Sequence, residues 1–595
     1  MVFGRHINRY YLKYAWILLI GIAALVLVDY FQLKVPELYR MVINGMNTGF
    51  VEVDGSLVKF DMTFLLDKVC LPLIIIILIM VVGRFLWRVC FFGSGIKVET
   101  DIRNRMFDNA KDLSHSYYQV NKVGNLMALF TNDLETVQDC FGSGILMVCD
   151  AAFLGALTVI KMWRMDFKLT LLALIPMALL LVGGILVGKY MMLKWEKRQE
   201  AYSALSDFSQ ESFSGIAVIK AFVKEFKELL AFRKLNKDNE DANVAYTKLS
   251  TLLNIVVTLL VESVVCIILG YGGYLTYKGV FDAGQLVEYI GYFTAIVWPV
   301  MAVSQLIEMS SRGKASLDRI GELLDAKPDV VDKDVEPVEK IEGKIEFKNL
   351  TFRYPEATFD ALKGVSFVIE AGENVGLVGK AGAGKTTIVD LILRTYNVPD
   401  GMLFIDDRDV NKLPIKAVRD AAAYVPQDNF LFSDTIENNI AFSSDEGGEG
   451  RAERVRSVAA LADVSDNIEE FKDGYETVLG ERGVTVSGGQ KQRISIARAL
   501  WKKSSILILD DSVSAVDTQT EKTILANLAK TRKGQTTILI AHRISTVEGM
   551  DKIIYIDDGR VVAVGKHAEL YESCPDYRRA VDLQKLEDEG RNDNA

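Results

Sequence analysis

The sequence predicts a multi-domain membrane protein: an all-α transmembrane domain of six helices with long cytoplasmic helical extensions, followed by a soluble α/β domain. The chain has 595 residues, half of them apolar, which is too long for one ordinary domain and too apolar for a wholly soluble protein. Apolar runs of membrane-span length fall only before residue 306, and strand-like alternation begins near residue 343. The membrane part therefore precedes the soluble part.

The transmembrane domain is predicted at residues 1–326. Arg5, Arg9 and Lys13 stand beside tyrosines in a short amphipathic helix that we expect on the inner membrane surface. The apolar runs that follow are each near the roughly 20 residues that a helix needs to cross hydrocarbon. They lie at about 14–33, 71–92, 139–162, 167–188, 252–276 and 284–305. The first run is too long for a signal peptide and is not closed by a small-residue cleavage site.

The topology follows from the charges between the spans. The long segments between spans two and three and between spans four and five are polar and basic, which places them in the cytoplasm. Both termini are then cytoplasmic, and the protein is expected as a multi-pass protein of the cytoplasmic membrane, in contact with lipid. The first long segment, about 92–138, contains no proline and is expected to run out and back as two helices.

Two acidic residues, Asp150 and Glu262, fall inside predicted spans. Ionisable groups are costly there and usually face a cavity or a partner. Each is therefore a candidate for lining a substrate or cation pathway. The alternative is a polar contact between helices, or a misplaced span edge.

The second half of the chain divides at changes of composition. Residues 327–342 are charged, contain two prolines and are predicted to be a linker. The soluble domain is predicted at 343–581, and the charged residues 582–595 are expected to form a solvated tail.

Charge and cysteine usage exclude other classes of protein. The net charge of −10 argues against nucleic acid as a partner, since a phosphate-binding surface would need a basic excess. The six cysteines and four histidines show no metal-ligand spacing, so no structural metal site is predicted.

The segment 379–386 reads Gly-Lys-Ala-Gly-Ala-Gly-Lys-Thr and matches a P-loop. An apolar strand precedes it and a helical pattern follows it, which is the context that this motif requires. In such a loop backbone N–H groups bind phosphate oxygens, Lys385 reaches the β- and γ-phosphates, and Thr386 holds Mg²⁺. ATP and Mg²⁺ are the predicted cofactors. The predicted nucleotide-binding residues here are Gly379, Lys380, Ala381, Gly382, Ala383, Gly384, Lys385, Thr386 and Thr387.

Two further motifs lie downstream. An apolar strand at 506–509 ends in Asp510, the arrangement that brings a Mg²⁺-organising carboxylate beside a P-loop. Before it, a second glycine-rich segment opens a helix and offers another anion-binding surface. It consists of Ser487, Gly488, Gly489 and Gln490. A second surface of this kind implies a second nucleotide, or the nucleotide of a partner.

With these motifs in this order, nearly the whole chain resembles the ABC transporter superfamily, and specifically exporter-type half-transporters. The resemblance implies that Tyr354 stacks on adenine, that Gln427 assists Mg²⁺ and the attacking water, and that His542 is the switch histidine. It also covers Gly480-Glu481-Arg482-Gly483 and the D-loop Ser514-Ala515-Val516-Asp517. Taken singly, Tyr354 would be a half-buried strand aromatic, Gln427 a solvated loop amide and His542 a histidine at a strand end.

The resemblance further implies a mechanism. Two ATP-binding domains close face to face, each P-loop facing the signature helix of the other subunit. ATP binding and hydrolysis then drive efflux of a hydrophobic or amphipathic drug, lipid or peptide. The segments 113–118 and 211–216, at the tips of the long cytoplasmic extensions, correspond to the coupling helices of the family, although either would equally suit a plain helical turn.

Asp511 departs from the family pattern, which has a water-orienting glutamate after Asp510. The carboxylate of Asp511 is one methylene shorter, and a displacement of about 1 Å costs around a hundredfold in rate. This P-loop site is therefore expected to bind ATP well and hydrolyse it poorly. The signature at 487–490 is intact. The combination resembles the degenerate-site subunit of heterodimeric bacterial multidrug or peptide exporters, whose partner supplies the glutamate.

Other functions stay open at this stage. One is an ATP-binding sensor or gated channel that does not pump, and another is a homodimeric exporter. A soluble chromosome-maintenance ATPase is excluded by the predicted spans, and an importer is disfavoured because the two domains are fused. The sequence does not identify the substrate.

Overall fold

The structure is a computed structural model of the chain. It describes residues 3–53, 56–355, 357–443, 448, 450–480, 483, 486–514 and 516–592. Predictions made for Glu481, Arg482, Ala515 and residues 593–595 lie outside these residues. The chain forms two compact units: Met1–Lys111 with Val123–Ala326, and Asp112–Lys122 with Lys327–Ala595.

In its described residues the membrane unit is helical apart from one antiparallel pair of strands, β1 (Phe50–Val53) and β2 (Ser56–Lys59). Its helices before residue 166 are α1 (Asn8–Lys13), α2 (Ala15–Gln32), α3 (Val35–Thr48), α4 (Met62–Phe64), α5 (Leu71–Ala110), α7 (Val123–Ala128) and α8 (Leu134–Met165). The later ones are α9 (Phe167–Ser214), α10 (Ile216–Ala221), α11 (Glu225–Ile267), α12 (Gly273–Tyr277) and α13 (Ala283–Asp325). A separate helix, α6 (His115–Val120), belongs to the other unit.

Five of the predicted spans lie in helical stretches long and apolar enough to cross a membrane. Within the described residues these stretches are Ala15–Thr48, Met62–Ala110, Val123–Met165, Glu225–Tyr277 and Ala283–Asp325. The predicted span at 167–188 lies in α9, where the apolar helical segment Phe167–Leu180 is shorter. The count of six spans therefore stays a prediction.

The first long segment between spans, predicted to be a cytoplasmic extension, follows the predicted helical course. Helix α5 continues past the predicted span edge at residue 92 to Ala110, and the chain returns through α7 into α8. The helix that runs out and the helix that runs back are both confirmed. At the tip of this extension lie Asp112–Lys122, which pack with the second unit.

The two acidic residues predicted inside the membrane differ in their surroundings. Asp150 is half-buried, and its Oδ2 accepts a hydrogen bond from Trp298 Nε1 at 2.6 Å, which joins α8 to α13. Glu262 is exposed on α11. The contact of Asp150 matches the alternative of a polar contact between helices, while a pathway role for either residue stays a prediction.

The second unit contains two sheets in its described part. A six-stranded sheet has the order β12-β11-β5-β10-β9-β8, in which only β12 is antiparallel, and a four-stranded antiparallel sheet has the order β4-β3-β6-β7. The strands are β3 (Ile345–Phe352), β4 (Leu362–Ile369), β5 (Asn374–Gly379), β6 (Leu403–Ile405), β7 (Arg408–Asp409), β8 (Ala422–Val425), β9 (Ile506–Asp510), β10 (Thr536–Ala541), β11 (Lys552–Asp557) and β12 (Arg560–Gly565).

Helices pack around these sheets. They are α14 (Lys385–Ile392), α15 (Ile415–Ala421), α16 (Ile436–Ile440), α17 (Arg451–Leu461), α18 (Ser465–Glu469), α19 (Gly488–Trp501), α20 (Thr518–Thr531), α21 (His567–Ser573) and α22 (Pro575–Asn592). Every residue of β9 and β10 is buried, as expected for parallel strands covered on both faces. The carboxyl ends of β5, β8, β9 and β10 therefore share one edge, where ligands bind in open parallel sheets.

Two connecting segments pack on this unit. Ser116 Oγ donates to Asp329 Oδ2 at 2.9 Å, and the backbone N–H groups of Asp329 and Val330 donate to Ser114 Oγ at 3.1 Å. The predicted linker 327–342 thus joins the extension tip to the domain, although it forms no helix or strand.

The charged segment predicted as a tail is helical in its described part. Residues 582–592 continue helix α22, and Gln584 in this helix bonds to the backbone of two residues near β10. Asp582, Leu583, Lys585 and Leu586 are exposed, and the solvated character of 582–595 stays a prediction.

Candidate nucleotide-binding site

The P-loop connects the central strand β5 to helix α14. Gly384, the residue before the helix, has φ +100°, in the region that favours glycine. At Gly379 a Cβ atom would lie 2.1 Å from the carbonyl oxygen of Ile556 on β11. Glycine is therefore required at Gly384 by backbone conformation and at Gly379 by close packing of strands.

Lys385 closes over this loop. Its Nζ donates to the carbonyl oxygens of Gly379 and Lys380, both at 2.9 Å, and the side chain is buried. Burial lowers the pKa of Lys385, whereas the negative charges of Asp510 and Asp511 oppose this shift. The ammonium group is held at the mouth of the loop, where a phosphate would compete for it.

Thr386 and Asp510 meet at the end of β9. Thr386 Oγ1 donates to Asp510 Oδ2 at 2.9 Å, and Tyr424 donates to the same oxygen at 3.5 Å. Burial raises the pKa of Asp510 and the charge of Asp511 adds to this, while the bond from Thr386 opposes it. A hydroxyl and a carboxylate beside a P-loop are the hard oxygen donors that Mg²⁺ prefers, so these residues fit the predicted metal.

Asp511 and His542 are brought together by neighbouring strands. His542 Nε2 lies 3.9 Å from Asp511 Oδ2, and the backbone N–H of Asp511 donates to the Ile540 carbonyl at 3.0 Å. The backbone of Asp511 has φ +47°, in the left-handed region. Gln427 is exposed two residues beyond β8, whose Val425 pairs with Leu509 of β9. All three predicted residues thus lie at the same sheet edge.

Tyr354 packs against the P-loop helix. Its ring makes edge contacts with Phe352 and Tyr396, each with centroids 5.1 Å apart. Its hydroxyl donates to Thr387 Oγ1 at 2.9 Å and to Asp390 Oδ2 at 3.3 Å, and burial raises the pKa of Tyr354 to about 12. Tyr354 is thus a half-buried aromatic residue in this structure, which agrees with the alternative interpretation of this residue. Stacking of its ring on adenine stays a prediction.

The second glycine-rich segment opens α19 as predicted. Ser487 Oγ accepts from Gln490 N at 3.3 Å, and Gln490 Oε1 accepts from Ser487 N at 2.9 Å, which forms a reciprocal capping box. A Cβ added at Gly488 would meet no atom within 4 Å, so this end of the helix is open.

Comparison with known proteins identifies this arrangement. Residues 6–300 match the family "ABC transporter transmembrane region", and residues 362–514 match "ABC transporter". The chain is 34% identical over 584 residues to the probable multidrug resistance ABC transporter ATP-binding/permease protein YheI of Bacillus subtilis (strain 168), covering 98% of this chain and 97% of YheI. The chain belongs to the ABC transporter family.

Two further comparisons agree with this assignment. The multidrug resistance-like ATP-binding protein MdlA of Escherichia coli (strain K12) is 32% identical over 97% of this chain and 96% of MdlA. The structure of a bacterial Atm1-family ABC exporter with ATP bound superposes with a TM-score of 0.78 at 25% identity, over 97% of this chain and 99% of the other. This ABC protein is an exporter-type half-transporter, with its membrane and ATP-binding domains fused in one chain.

The family explains what the sheet edge does. An ABC ATP-binding domain binds ATP and couples its hydrolysis to transport, so this transporter is an ATPase and a multi-pass membrane protein. The predicted resemblance to exporter half-transporters is confirmed, as is the order of helical domain and α/β domain.

Two residues of the site were missed by sequence reasoning. Asp390 accepts from Tyr354, and burial raises the pKa of Asp390 to about 6, against the opposing effects of His115 and that hydrogen bond. The sequence could have indicated Asp390, because it is the one carboxylate in the apolar helical run 387–393 after the P-loop. Gln584 donates from Nε2 to the His542 carbonyl at 2.7 Å, and no local pattern indicated this contact.

Proposed function

We propose that this half-transporter exports hydrophobic or amphipathic compounds across the cytoplasmic membrane as one half of a heterodimer, and that its own P-loop site is the weakly hydrolytic one. Both termini and the ATP-binding domain are cytoplasmic in this proposal. The multidrug names of YheI and MdlA support the substrate class. The heterodimer proposal rests on Asp511, which stands where the family pattern has a glutamate.

The position of Asp511 supports a specific loss of hydrolysis. Its carboxylate faces His542 at 3.9 Å, as a water-orienting residue beside a switch histidine would. Because the side chain lacks one methylene of glutamate, its oxygens stop short of the place that the family's glutamate reaches. Misplacement by about 1 Å lowers a rate by around a hundredfold, or roughly 2.7 kcal/mol.

The rest of the nucleotide site is complete, which supports binding without fast turnover. Lys385, Thr386 and Asp510 are engaged with one another or with the loop, and these residues would hold the phosphates and Mg²⁺ of ATP. The negative charge of the ATP phosphates would be stabilised by the backbone N–H groups of the P-loop and by the ammonium group of Lys385. The signature segment at 487–490 is proposed to complete the competent site of the partner.

The test compares this chain alone with the heterodimer. The partner is first captured by affinity purification of the tagged chain from membranes. In the reconstituted pair, Asp511→Asn should leave most of the ATP turnover, whereas replacing the partner's glutamate with glutamine should nearly abolish it. In the chain alone, turnover should be slow and should rise in Asp511→Glu. Fast turnover and transport by the purified chain alone would establish the homodimeric exporter instead.

Transport itself separates an exporter from a sensor or gated channel. Inverted membrane vesicles containing the pair should accumulate an amphipathic dye only when ATP is present. Dye movement that follows its gradient without net accumulation would favour the channel, and ATP binding without dye movement would favour the sensor.

A further inference from the structure

The carboxyl groups of two aspartates face each other inside the membrane unit. Asp29 lies on α2 and Asp150 on α8, each in a helical stretch that is long and apolar enough to cross a membrane. The two carboxyl groups come within hydrogen-bonding range of each other. The sequence marks Asp150 as an acidic residue inside a predicted span, and the packing of α2 against α8 supplies its counterpart.

Asp29 has the poorer hydrogen bonding of the two. It is 2% exposed, and its buried Oδ2 receives no hydrogen bond. Asp150, by contrast, accepts from Trp298 Nε1 at 2.6 Å. Buried polar atoms without a partner are rare in folded proteins, and an acceptor facing another acceptor lacks a proton between them.

The surrounding charges do not balance two carboxylates. Arg84 on α5 is the basic group that acts on Asp29, but its side chain is exposed and its guanidinium donates to Gln32 at 3.3 Å. Cys149, next to Asp150 on α8, is a thiol and brings no positive charge. In the described part of the chain Asp29 forms no ion pair with a lysine, arginine or histidine.

We propose that Asp29 and Asp150 form a proton-binding site of the membrane domain, in which the two carboxyl groups share a single proton. Two carboxylates in contact in a low-dielectric interior cannot both stay ionised. One proton from water adds to a carboxylate oxygen, which supplies the donor that Asp29 Oδ2 lacks and leaves the pair with one negative charge. Ionisable groups kept inside a membrane commonly mark proton or ion sites.

Proton binding by this pair would depend on conformation. The proton is held because α2 and α8 keep the two carboxyl groups together and away from water. A conformation that separates these helices and hydrates both groups would release the proton, and by linkage a higher proton concentration would favour the packed conformation. This inference does not depend on which ATP site hydrolyses.

Infrared difference spectroscopy of the full chain in lipid nanodiscs at neutral pH tests the site. Subtracting the spectrum of Asp29→Asn should reveal the C=O stretching band of one protonated carboxyl per wild-type chain. In Asp29→Asn the band should be lost, because Asp150 keeps its hydrogen bond from Trp298 and ionises when it no longer faces a second carboxylate. Asp150→Asn should shift or remove the same band. The matched control Glu262→Gln, at an exposed membrane-domain carboxylate, should leave the band in place.

Two outcomes would overturn the site. If Asp29→Asn removes no band, either both groups are ionised or Asp150 holds a proton of its own. If Asp150→Asn leaves the band unchanged in position and size, Asp29 is protonated without sharing. Thermal melting shows whether a variant is folded, and for an unfolded variant the wild-type spectrum decides: absence of any protonated carboxyl band at neutral pH rejects the proposal.

Discussion

Two helices of the ATP-binding unit begin at glycine-rich segments, and their first turns are completed in opposite ways. Helix α19 begins after Ser487, whose side chain and that of Gln490 cap each other's backbone N–H groups. Helix α14 begins after Gly384, which offers no side-chain cap. The first turn of α19 thus carries its own cap, whereas the first turn of α14 leaves N–H groups for an anion.

This difference bears on the role proposed for each end. The α14 end gathers Lys385, Thr386 and Asp510 from its own unit, so all the phosphate and Mg²⁺ contacts proposed there come from one chain. The α19 end is open at Gly488 and is already capped, which suits the preformed surface proposed for a partner's nucleotide. The two ends therefore suit opposite sides of a shared interface, and substitutions at them should affect different sites.

The largest effect is expected at the α14 end. Lys385→Ala should weaken ATP binding at this chain's own site by roughly a hundredfold, because hydrogen bonds to charged groups contribute about 1.5 to 3 kcal/mol each. It also removes the two bonds that hold the loop carbonyls. Photolabelling of this subunit with an azido-ATP analogue measures the change.

A neighbouring lysine provides the control. Lys380 also lies in the P-loop, but its side chain is 75% exposed and its ion pair with Asp557 spans 3.6 Å. Exposed pairs of this kind contribute about 0 to 1 kcal/mol. Lys380→Ala keeps the backbone N–H through which Lys380 is predicted to bind phosphate and removes only the exposed side chain, so it should retain most labelling. Equal labelling of the two variants would contradict the assignment of the α14 end.

The next effect is expected at the α19 end. Ser487→Asp preserves helix capping, since aspartate is as good an N-cap as serine, but it places a negative charge where a partner's phosphate is proposed. ATP turnover of the assembled transporter should fall at least tenfold while labelling of this subunit stays unchanged. Ser487→Asn caps equally well without the charge and should keep more turnover. Equal losses in the two variants would show that the charge meets no phosphate.

A smaller effect concerns the stability of the α14 region. Burial raises the pKa of Asp390 to about 6 from 3.8, so the folded state binds the proton more tightly than the unfolded state. Stability should therefore fall as pH rises from about 4 to about 6 and stay at the lower level above that. Asp390→Asn removes this dependence and should be more stable at neutral pH by about 1 kcal/mol, allowing for the partial exposure of the side chain.

Thermal melting of the purified chain across this pH range measures the effect. The difference between variant and wild type should grow up to about pH 6 and then level off. A constant difference would show that Asp390 does not titrate there.

The comparison of the two helix ends was largely accessible from sequence. The P-loop at 379–386, Asp510 and the segment 487–490 are local patterns, and each requires a particular strand or helix beside it. The motifs named Asp511 and His542 separately, and the parallel strands β9 and β10 deliver both residues to one edge. The sequence therefore predicted which polar residues belong to the site, and the sheet topology brings them together.

Contacts between distant, weakly patterned segments were not accessible. Asp29 pairs with Asp150 only because α2 packs on α8, and no spacing in the sequence records that packing. Tyr354 packs against the P-loop helix, where its hydroxyl contacts Asp390, and the two residues are 36 positions apart with no pattern that links them. Gln584 is one amide in a charged run, and its contact with the backbone near β10 depends on where helix α22 packs.

The smallest expected effect concerns the backbone at His542, the residue proposed as the switch histidine. Gln584 clamps the backbone on both sides of Arg543: its Nε2 donates to the His542 carbonyl at 2.7 Å, and its Oε1 accepts from Ile544 N at 2.8 Å. Gln584 is thus a positioning residue that acts through His542. Gln584→Ala should release this backbone at a cost of about 1 kcal/mol, because one exposed and one part-buried hydrogen bond are lost.

The effect of that release depends on which site hydrolyses ATP. If this chain's own site turns over slowly, Gln584→Ala should lower total turnover of the pair by less than twofold. In Asp511→Glu, where this chain's own site is expected to become active, the same substitution should cost severalfold, since about 1.4 kcal/mol is a factor of ten. Gln584→Glu keeps the acceptor for Ile544 N and loses the donor to the His542 carbonyl. In the Asp511→Glu background its turnover should lie between that of Gln584→Ala and that of the chain with Gln584 intact. Lys585→Ala, at the next residue of α22, is the control for the helix itself. A large loss from Gln584→Ala in the unmodified pair would mean that the Asp511 site already carries much of the turnover, and the division of labour between the two sites would have to be reversed.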